Sequence, residues 1–441
     1  MKQRIGLIGE NSIEYVRRLI NIWNEGNCAV IIDWRIPLTK SIQMLIDAGV
    51  RMCYIDASLL DDDLTYNDCG IEFNTILANK SSYEKLPEDI HIAFDDNYSR
   101  DEALILYSSG TTGKAKGVIL SHYAIQKNAE AICEYMSLNC DDSIYIAKPL
   151  SHSSTIVGEL LVGLKLKIAI YLGRSIVSPS VLLKNLENSK STIVCVNPTL
   201  LKLMTMSLQK RDKCLRSIRT IYTSGAIIEP KLLYEAKNVF GGVEILNVYG
   251  LTEMGPRVTA QRHSDTPDGS VGKPILNVKV KIKNRKKYDG SKKIGEVWVH
   301  TPYIMNGYVE NNVSSNNHWF NTGDLGYFDN KGNLYITGRS DNAVLVGSHI
   351  VYLEDIEKSI LQVDGVQDCV VLSKSHEVHG NILVCYYEGC SEESSSENIR
   401  NHCIRSMASY EVPYGFIKMK KLLTNLNGKK IRDINEYEKV Q

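Results

Sequence analysis

Short apolar runs alternate with helix-like segments from the first residues of this chain, and the alternation limits the folds that it can adopt. The runs IGLIG, CAVIID and MCYID predict strands, whereas SIEYVRRLINIWNEG and LTKSIQMLIDAG predict helices that end at Gly26 and Gly49. Further along, TIVCVN, IRTIYTSG and EILNVYG repeat the pattern. Strand–helix–strand repetition predicts right-handed crossovers and mostly parallel sheets, in which ligands bind at the carboxyl ends of the strands.

The pattern changes after about residue 270. The runs KVKIKN, GEVWVHT and GNLYITG predict antiparallel strands and thus a small β-rich subdomain. A new α/β unit follows Gly338–Asp341, with LEDIEKSILQV and SENIRNHCIRSMASY as helices and QDCVVLS and ILVCYYE as strands. We therefore predict an α/β fold with two domains, a large one over residues 1–340 and a small α/β one over residues 341–441.

Composition narrows the functional class. Of the 441 residues, 43% are hydrophobic and 23% charged, with a net charge of zero, so we expect no nucleic-acid partner. The 11 cysteines include no CxxC pair and the start, MKQRIGLIGENS, has no apolar core of leader length, which predicts reduced thiols and a cytoplasmic location. Lys165 and Lys167 interrupt the most apolar long segment, so we expect no membrane span.

The segment ALILYSSGTTGKAKGVILSH, Ala103 to His122, is poor in large side chains between its two apolar ends. Glycines allow close backbone approach to a ligand, hydroxyls and exposed N–H groups bind anions, and lysines add positive charge. These residues are Ser108, Ser109, Gly110, Thr111, Thr112, Gly113, Lys114, Lys116 and Gly117. Their combination predicts a site for polyphosphate.

Two other interpretations of this loop are a P-loop and a surface linker. A P-loop needs glycine at Ser108 and serine or threonine at Ala115, and it joins a strand to a helix. Here the run GVILS follows the loop and Ser121 is placed to cap the next helix, so we expect the loop to join two strands. A surface linker is the remaining alternative.

Several segments together resemble the acyl-adenylate-forming enzymes, the superfamily of acyl-CoA synthetases, peptide-synthetase adenylation domains and luciferases. They occur in family order: YSSGTTGKAKGVILSH, NVYGLTE, GEVWV with NGY, WFNTGDLGYFDNKGNLYITGRSDN, GSHIVYLEDIE and NGKKIR. The match covers nearly the whole chain. It implies a large N-terminal domain of stacked sheets, a small mobile C-terminal domain, and an active site where the two meet.

The resemblance also implies nucleotide-binding residues. The Ser108–Gly117 loop would hold the β- and γ-phosphates of ATP, and Tyr249, followed by Gly250, would stack on adenine. Thr252 would bind the α-phosphate and Glu253 would bind Mg²⁺, a cation that prefers carboxylate and phosphate oxygens. Asp324 and Arg339 would bind the ribose.

Further roles follow from the same resemblance. Lys429 would be the catalytic lysine, which neutralises the substrate carboxylate and the α-phosphate, and Asp341 would be the interdomain hinge. Gly347 would lie in the loop that receives the thiol. The residues predicted to bind the acyl substrate are His152, Ser224, Gly225 and Ala226. The chain departs from the family pattern at Leu353 and Leu423, where proline is usual.

The implied reaction joins a small carboxylic acid and ATP–Mg²⁺ to give acyl-AMP and pyrophosphate, followed by acyl transfer to a thiol. PLSH and HIVYLEDIE favour coenzyme A as the thiol, while loading of an acyl carrier protein through its phosphopantetheine remains the alternative. A nucleotide-binding pseudoenzyme is the third hypothesis, and the presence of Lys429, Glu253 and Asp324 argues against it. No Asp follows Pro149 closely, which favours an acid without an α-amino group.

Overall fold

The computed structural model describes residues 2–60, 69–77, 81–92, 99–109, 115–174, 177–210, 215–228, 230–262, 266–288, 292–310, 318–346, 349–376, 380–390, 394–426 and 428–440. Contacts divide the chain into two compact units. The first comprises Met1–Lys281, Trp298–Phe320 and Phe328–Tyr335, and the second comprises Ile282–Val297, Asn321–Tyr327 and Ile336–Gln441. The second unit thus takes in segments that precede residue 341, and the sequence-based boundary at that residue stays a prediction.

The first unit carries alternating strands and helices, as the sequence predicts. The strands are β1 Arg4–Ile8, β2 Cys28–Ile32, β3 Met52–Asp56, β4 Glu72–Ile76, β5 Tyr83–Lys85, β6 Glu102–Ser109, β7 Ala115–Ser121, β8 Ser143–Ile146, β9 Ala169–Gly173, β10 Ile193–Val196, β11 Thr220–Thr223, β12 Glu244–Gly250, β13 Arg257–Ala260 and β14 Lys273–Pro274. The helices are α1 Ile13–Asn24, α2 Leu38–Asp47, α3 His122–Met136, α4 Ser153–Thr155, α5 Leu161–Leu166, α6 Pro179–Ser189, α7 Pro198–Gln209 and α8 Pro230–Phe240.

The strands of this unit form two sheets, and the short strand β17 Gly307–Tyr308 belongs to the first of them. The first sheet has the order β17-β7-β6-β2-β1-β3-β4 and the second has the order β14-β13-β12-β11-β10-β8-β9-β5. The strands β6, β2, β1, β3 and β4 pair in parallel, and so do β12, β11, β10, β8 and β9. Antiparallel pairing is found towards one end of the first sheet, between β6 and β7, and at both ends of the second, between β12 and β13 and between β9 and β5.

Local sequence explains why the helices begin where they do. The Ser12 side chain accepts a hydrogen bond from the Tyr15 N–H at the start of α1, and Ser121 accepts one from the Ala124 N–H at the start of α3. Such caps satisfy N–H groups that have no partner within the helix. The cap at Ser121 confirms the sequence prediction.

A π-helical turn, Ile156–Leu160, separates α4 from α5, and the sequence did not predict it. All five of its residues are buried, including Glu159. Single π-turns within helices occur frequently at functional sites.

The β-rich segment follows, with β15 Lys279–Tyr288, β16 Lys292–His300, β18 Phe320–Phe328 and β19 Leu334–Arg339. These four strands form one sheet in the order β15-β16-β18-β19, and their residues are shared between the two units. The three runs identified in the sequence correspond to β15, β16 and β19, whereas β18 was not predicted as a strand.

The remainder of the second unit is a small α/β fold. Its strands are β20 Ala343–Val346, β21 His349–Tyr352, β22 Val366–His376, β23 Gly380–Gly389 and β24 Gly415–Lys418, and its helices are α9 Leu353–Ile360, α10 Ser396–Ser406 and α11 Ile434–Glu438. The sequence pattern extended α10 to residue 410, but Met407 has extended dihedral angles and the Ala408 N–H bonds the Glu411 side chain instead. Within the residues described, no helix is long and apolar enough to cross a membrane.

Candidate functional site

The predicted phosphate loop connects two antiparallel strands of the first sheet. Ser108 pairs with Lys116 and Ser109 with Ala115, so β6 and β7 form a hairpin closed by this loop. The prediction that the loop joins strand to strand is therefore confirmed, and it separates this loop from a P-loop. Gly110, Thr111, Thr112, Gly113 and Lys114 lie outside the described residues, as do the side chains of Ser108 and Ser109.

Gly117, the last residue of the loop, lies where the chain segment at Val309 passes closely. A Cβ atom there would lie 2.6 Å from Val309 Cγ2 and 3.1 Å from Tyr107 Cε1, so only glycine fits without a shift. The Gly117 carbonyl accepts a 2.8 Å hydrogen bond from the Val309 N–H. The ammonium of Lys116 is 5.5 Å from the Tyr308 ring centroid, within range of a cation–π interaction.

The predicted adenine and metal motif lies at the carboxyl end of β12. Tyr249 is half-buried there, and the pairing of β12 with β13 shifts register between Tyr249 and Gly250. A Cβ on Gly250 would lie 1.9 Å from the Pro256 carbonyl oxygen, so this position excludes any side chain. The chain then makes a short 3₁₀ turn, Thr252–Met254, which presents Thr252 and Glu253.

Glu253 is held by a tyrosine to which the sequence pattern gave no role. The Tyr308 hydroxyl donates to Glu253 Oε1 over 3.2 Å. Burial, together with the Glu253 carboxylate, raises the pKa of the Tyr308 hydroxyl, so it stays protonated and able to donate at neutral pH. Tyr308 belongs to the NGY segment, but its partner lies 55 residues earlier in the chain.

Thr252 contacts the segment that was predicted to line the acyl pocket. The hydroxyl oxygens of Ser153 and Thr252 are 3.0 Å apart, and Ser153 is buried. His152, immediately before it, is half-buried, and its carbonyl accepts hydrogen bonds of 3.0 Å from the N–H groups of Thr155 and Ile156. The structure thus places the PLSHSS segment directly against the predicted α-phosphate residue.

The other predicted acyl-site residues form a turn after β11. Ser224 donates its N–H to the Val196 carbonyl over 3.1 Å, which ties the turn to the end of β10. Gly225 has φ +96° with nothing within 4 Å of a Cβ position, so glycine is favoured there by backbone conformation. Ser224 is half-buried, whereas Gly225 and Ala226 are exposed.

The two predicted ribose ligands meet within the second unit. Arg339 Nη1 donates to Asp324 Oδ1 over 3.3 Å, and Asp324 is only 9% exposed. The Asp324 N–H donates to Thr322 Oγ1 over 3.0 Å. A Cβ on Gly323 would lie 2.7 Å from Arg339 Nη2, so the NTGD turn leaves room for the guanidinium.

Lys429 lies on a tight turn whose neighbours are anchored. Its N–H donates to Asn425 Oδ1 over 3.0 Å and its side chain is exposed. Lys430 pairs with Asp368 at 2.5 Å, and Arg432 forms two hydrogen bonds, 2.8 and 2.7 Å, with Glu357. The residues that follow Lys429 are therefore anchored within the second unit, unlike a solvated tail.

The predicted hinge and thiol loop are only partly covered by the structure. Asp341 lies in a 3₁₀ turn, Ser340–Asn342, and its side chain is outside the described residues. Gly347 is outside them as well, between β20 and β21, which pair as an antiparallel hairpin. Both roles stay predictions.

Comparison with known proteins identifies the family. The model for AMP-binding enzymes matches residues 1–309, and the model for the C-terminal domain of AMP-binding enzymes matches residues 355–429. A 2-succinylbenzoate–CoA ligase of Bacillus licheniformis is 26% identical, covering 93% of this chain and 89% of the relative. Surfactin synthase subunit 3 of Bacillus subtilis is 25% identical, covering 96% of this chain and 34% of that larger protein.

Solved structures agree on the fold. The Bacillus subtilis O-succinylbenzoate coenzyme A synthetase in complex with ATP and magnesium ion superposes with a TM-score of 0.81 at 23% identity, covering 98% of this chain and 88% of the other. ATP-bound MatB from Rhodopseudomonas palustris gives a TM-score of 0.84 at 21% identity, covering 100% and 89%. With family models matched to both the amino-terminal and carboxyl-terminal regions, the chain belongs to the AMP-binding enzyme family.

Proposed function

We propose that this protein is an AMP-forming acid–thiol ligase, with coenzyme A as the thiol. The observation that supports it best is the relationship, over nearly the full length of both chains, to 2-succinylbenzoate–CoA ligases of several bacteria. The acid oxygen attacks the α-phosphorus of ATP and pyrophosphate leaves. The thiol then attacks the acyl carbon and AMP leaves.

The chain's own residues supply positioning and charge in this proposal. Thr252, held by the Ser153 hydroxyl at 3.0 Å, donates to the α-phosphate. Asp324 accepts hydrogen bonds from the ribose hydroxyls, and Arg339 holds Asp324 in place at 3.3 Å. Lys429 brings positive charge to the substrate carboxylate and the α-phosphate. Bringing these two anions together is the main barrier to the first step.

The residues around Glu253 fit a magnesium ion. Tyr308 binds Glu253 Oε1, and among the described residues Oε2 has no hydrogen bond, so one carboxylate oxygen can bind a cation while the other is held in place. Magnesium in nucleotide sites is commonly bound by one or two carboxylates plus phosphate oxygens and water. When bound there, the ion would neutralise phosphate charge.

Carrier-protein loading is the second candidate. The supporting observation is the match to two peptide synthetases of Bacillus subtilis, surfactin synthase and mycosubtilin synthase, whose matched chains cover 96% and 97% of this chain. A cytoplasmic location belongs to the proposal as well, and it rests on the cysteine composition.

Product analysis tests the proposal. The protein is incubated with ATP, Mg²⁺ and a panel of aryl, fatty, dicarboxylic and amino acids, with coenzyme A in one arm and a phosphopantetheinylated carrier protein in the other. We expect AMP, pyrophosphate and acyl-CoA in equal amounts with at least one acid. Formation of ADP and phosphate, or nucleotide turnover that needs no acid, would contradict it. Acylation of the carrier protein alone would favour the second candidate.

A further inference from the structure

Three charged side chains are buried together in the first unit, and none of them belongs to the nucleotide-binding residues. Lys148, Glu159 and Arg257, here called the ionic cluster, are 8%, 0% and 4% exposed. They come from the segment after β8, from the π-helical turn and from the first residue of β13. Burial of a charge is costly unless it has a partner, so the partners of each side chain decide whether its burial is compensated.

Lys148 and Glu159 lie within ion-pair distance of each other. Lys148 Nζ lies 3.1 Å from Glu159 Oε1, and it also contacts Ser154 Oγ at 3.3 Å. The Lys148–Glu159 contact lies within ion-pair distance but its angle is not that of a hydrogen bond, so neither Glu159 oxygen has a hydrogen-bond donor among the described residues. Because Glu159 is occupied by Lys148, it is poorly placed to bind a substrate ammonium group.

Arg257 has no such partner. Burial raises the pKa of the Tyr135 hydroxyl and the nearby Arg257 charge opposes that rise, but among the described residues no carboxylate oxygen comes within 4.0 Å of the guanidinium, and its Nε makes no hydrogen bond. An arginine is charged at any physiological pH. The cluster therefore holds two cationic side chains and a single carboxyl group, and the guanidinium carries a buried positive charge without a carboxylate beside it among the described residues.

The position of Arg257 connects it to the acyl substrate. It lies four residues after Glu253, and a Cβ on Gly158 would be 2.9 Å from Arg257 Nη2, so the glycine in the π-helical turn makes room for the guanidinium. The same helical segment begins at Ser153, which contacts Thr252. Tyr135 packs edge-on against Tyr222, two residues before the predicted substrate turn at Ser224, with ring centroids 6.1 Å apart. Arg257 is thus close in sequence to the nucleotide motif and packs against the helical segment that contacts Thr252.

We propose that Arg257, supported by Lys148, binds a second carboxylate on the acid that this enzyme activates. The substrate is then a dicarboxylic acid, with one carboxylate adenylated and the other bound by the ionic cluster. Arginine suits this role because its planar fork matches carboxylate geometry. The inference rests on the proposed function, since it names the substrate class for the same active site.

The test compares matched pairs of acids. Pyrophosphate release is measured with succinate, glutarate and adipate and the monoamide of each, and with 2-succinylbenzoate and both of its monoamides; a monoamide keeps the size and removes one charge. We expect kcat/KM for the preferred diacid to exceed that of its monoamide by about 10- to 100-fold, the range for a charge-assisted hydrogen bond. Arg257→Gln should bring this ratio close to one, and Arg257→Lys should retain part of the preference.

Arg262→Gln is the matched control. Arg262 lies five residues further along, with its side chain 43% exposed and paired to Glu134 at 3.4 Å, so its removal should keep the diacid preference. Equal rates with diacid and monoamide in the wild type, or an unchanged ratio in a folded Arg257→Gln protein, would overturn the inference. The wild-type comparison stands even if the Arg257→Gln protein does not fold. Absence of pyrophosphate with every acid in both arms would instead contradict the proposed function itself.

Discussion

Replacing Glu159 by glutamine should change how the stability of the first unit depends on pH. Burial raises the pKa of the Glu159 carboxyl from 4.5 to about 7, against the opposing effects of Lys148 and Arg257. Between these two pH values the folded protein holds a proton that the unfolded chain has released. The free energy of unfolding therefore falls as the pH rises through this range, and that contribution is fully present only below pH 4.5.

The size of the effect follows from the shift. A change in pKa from 4.5 to about 7 corresponds to roughly 3 kcal/mol in all, of which roughly 2.5 kcal/mol falls between pH 5 and pH 8. Glutamine does not titrate, so the variant should lack this loss. Relative to the variant, the wild type should therefore become less stable by that amount between pH 5 and pH 8. The attraction of Lys148 for the ionised carboxylate needs no separate allowance, because it already opposes burial in setting this pKa.

Tryptophan fluorescence during urea unfolding is the appropriate assay. All four tryptophans, Trp23, Trp34, Trp298 and Trp319, belong to the first unit, so their signal follows the unit that contains Glu159. Glu134→Gln serves as the matched control, because it makes the same substitution at a side chain of the first unit that is 46% exposed. If Glu159→Gln changes the free energy of unfolding equally at pH 5 and pH 8, Glu159 titrates normally and the reasoning about its burial is wrong.

Three other predictions concern the nucleotide site and its supports. Lys429→Ala should slow acyl-AMP formation by about 100- to 1,000-fold, because the transition state loses a positive charge. The same variant should still convert ready-made acyl-AMP to thioester. Equal loss in both half-reactions would contradict this role. Asp324→Ala should weaken ATP binding by about 1.5–3 kcal/mol through lost charged hydrogen bonds, and unchanged affinity in calorimetry would reject the ribose assignment. Gly117→Ala should lower the free energy of unfolding by about 1–3 kcal/mol because its Cβ would meet Val309 at 2.6 Å, and adding Val309→Ala should restore most of the loss.

Local pattern was enough to predict most of the fold. The runs CAVIID, MCYID and EILNVYG became β2, β3 and β12 because apolar runs bounded by small or polar residues determine strands largely by themselves. Ser121 was identified as a helix cap from the residues beside it, and the structure confirms that cap. The end of α10 was wrong by four residues, since the competing bond from the Ala408 N–H to Glu411 is specific to this turn.

The contacts that shape the candidate site could not be predicted in the same way. Ser153 meets Thr252 across 99 residues of sequence, and Tyr308 meets Glu253 across 55. Such pairs depend on which strands lie side by side, and that information is spread over the whole chain. Arg257 offered one local signal, a charged residue at the start of the short strand RVTA, but only packing reveals that it is buried and that its charge has no carboxylate partner in the described residues.

The central claim is that the acid attacks the α-phosphorus of ATP, and oxygen transfer measures that step directly. An acid labelled with ¹⁸O in its carboxylate is converted with ATP and coenzyme A, and the products are analysed by mass spectrometry. Attack at the α-phosphorus leaves one acid oxygen on the nucleotide, so we expect one ¹⁸O in each AMP and none in pyrophosphate. Label in inorganic phosphate, accompanied by ADP, would mean that the acid attacks the terminal phosphorus and would contradict the account.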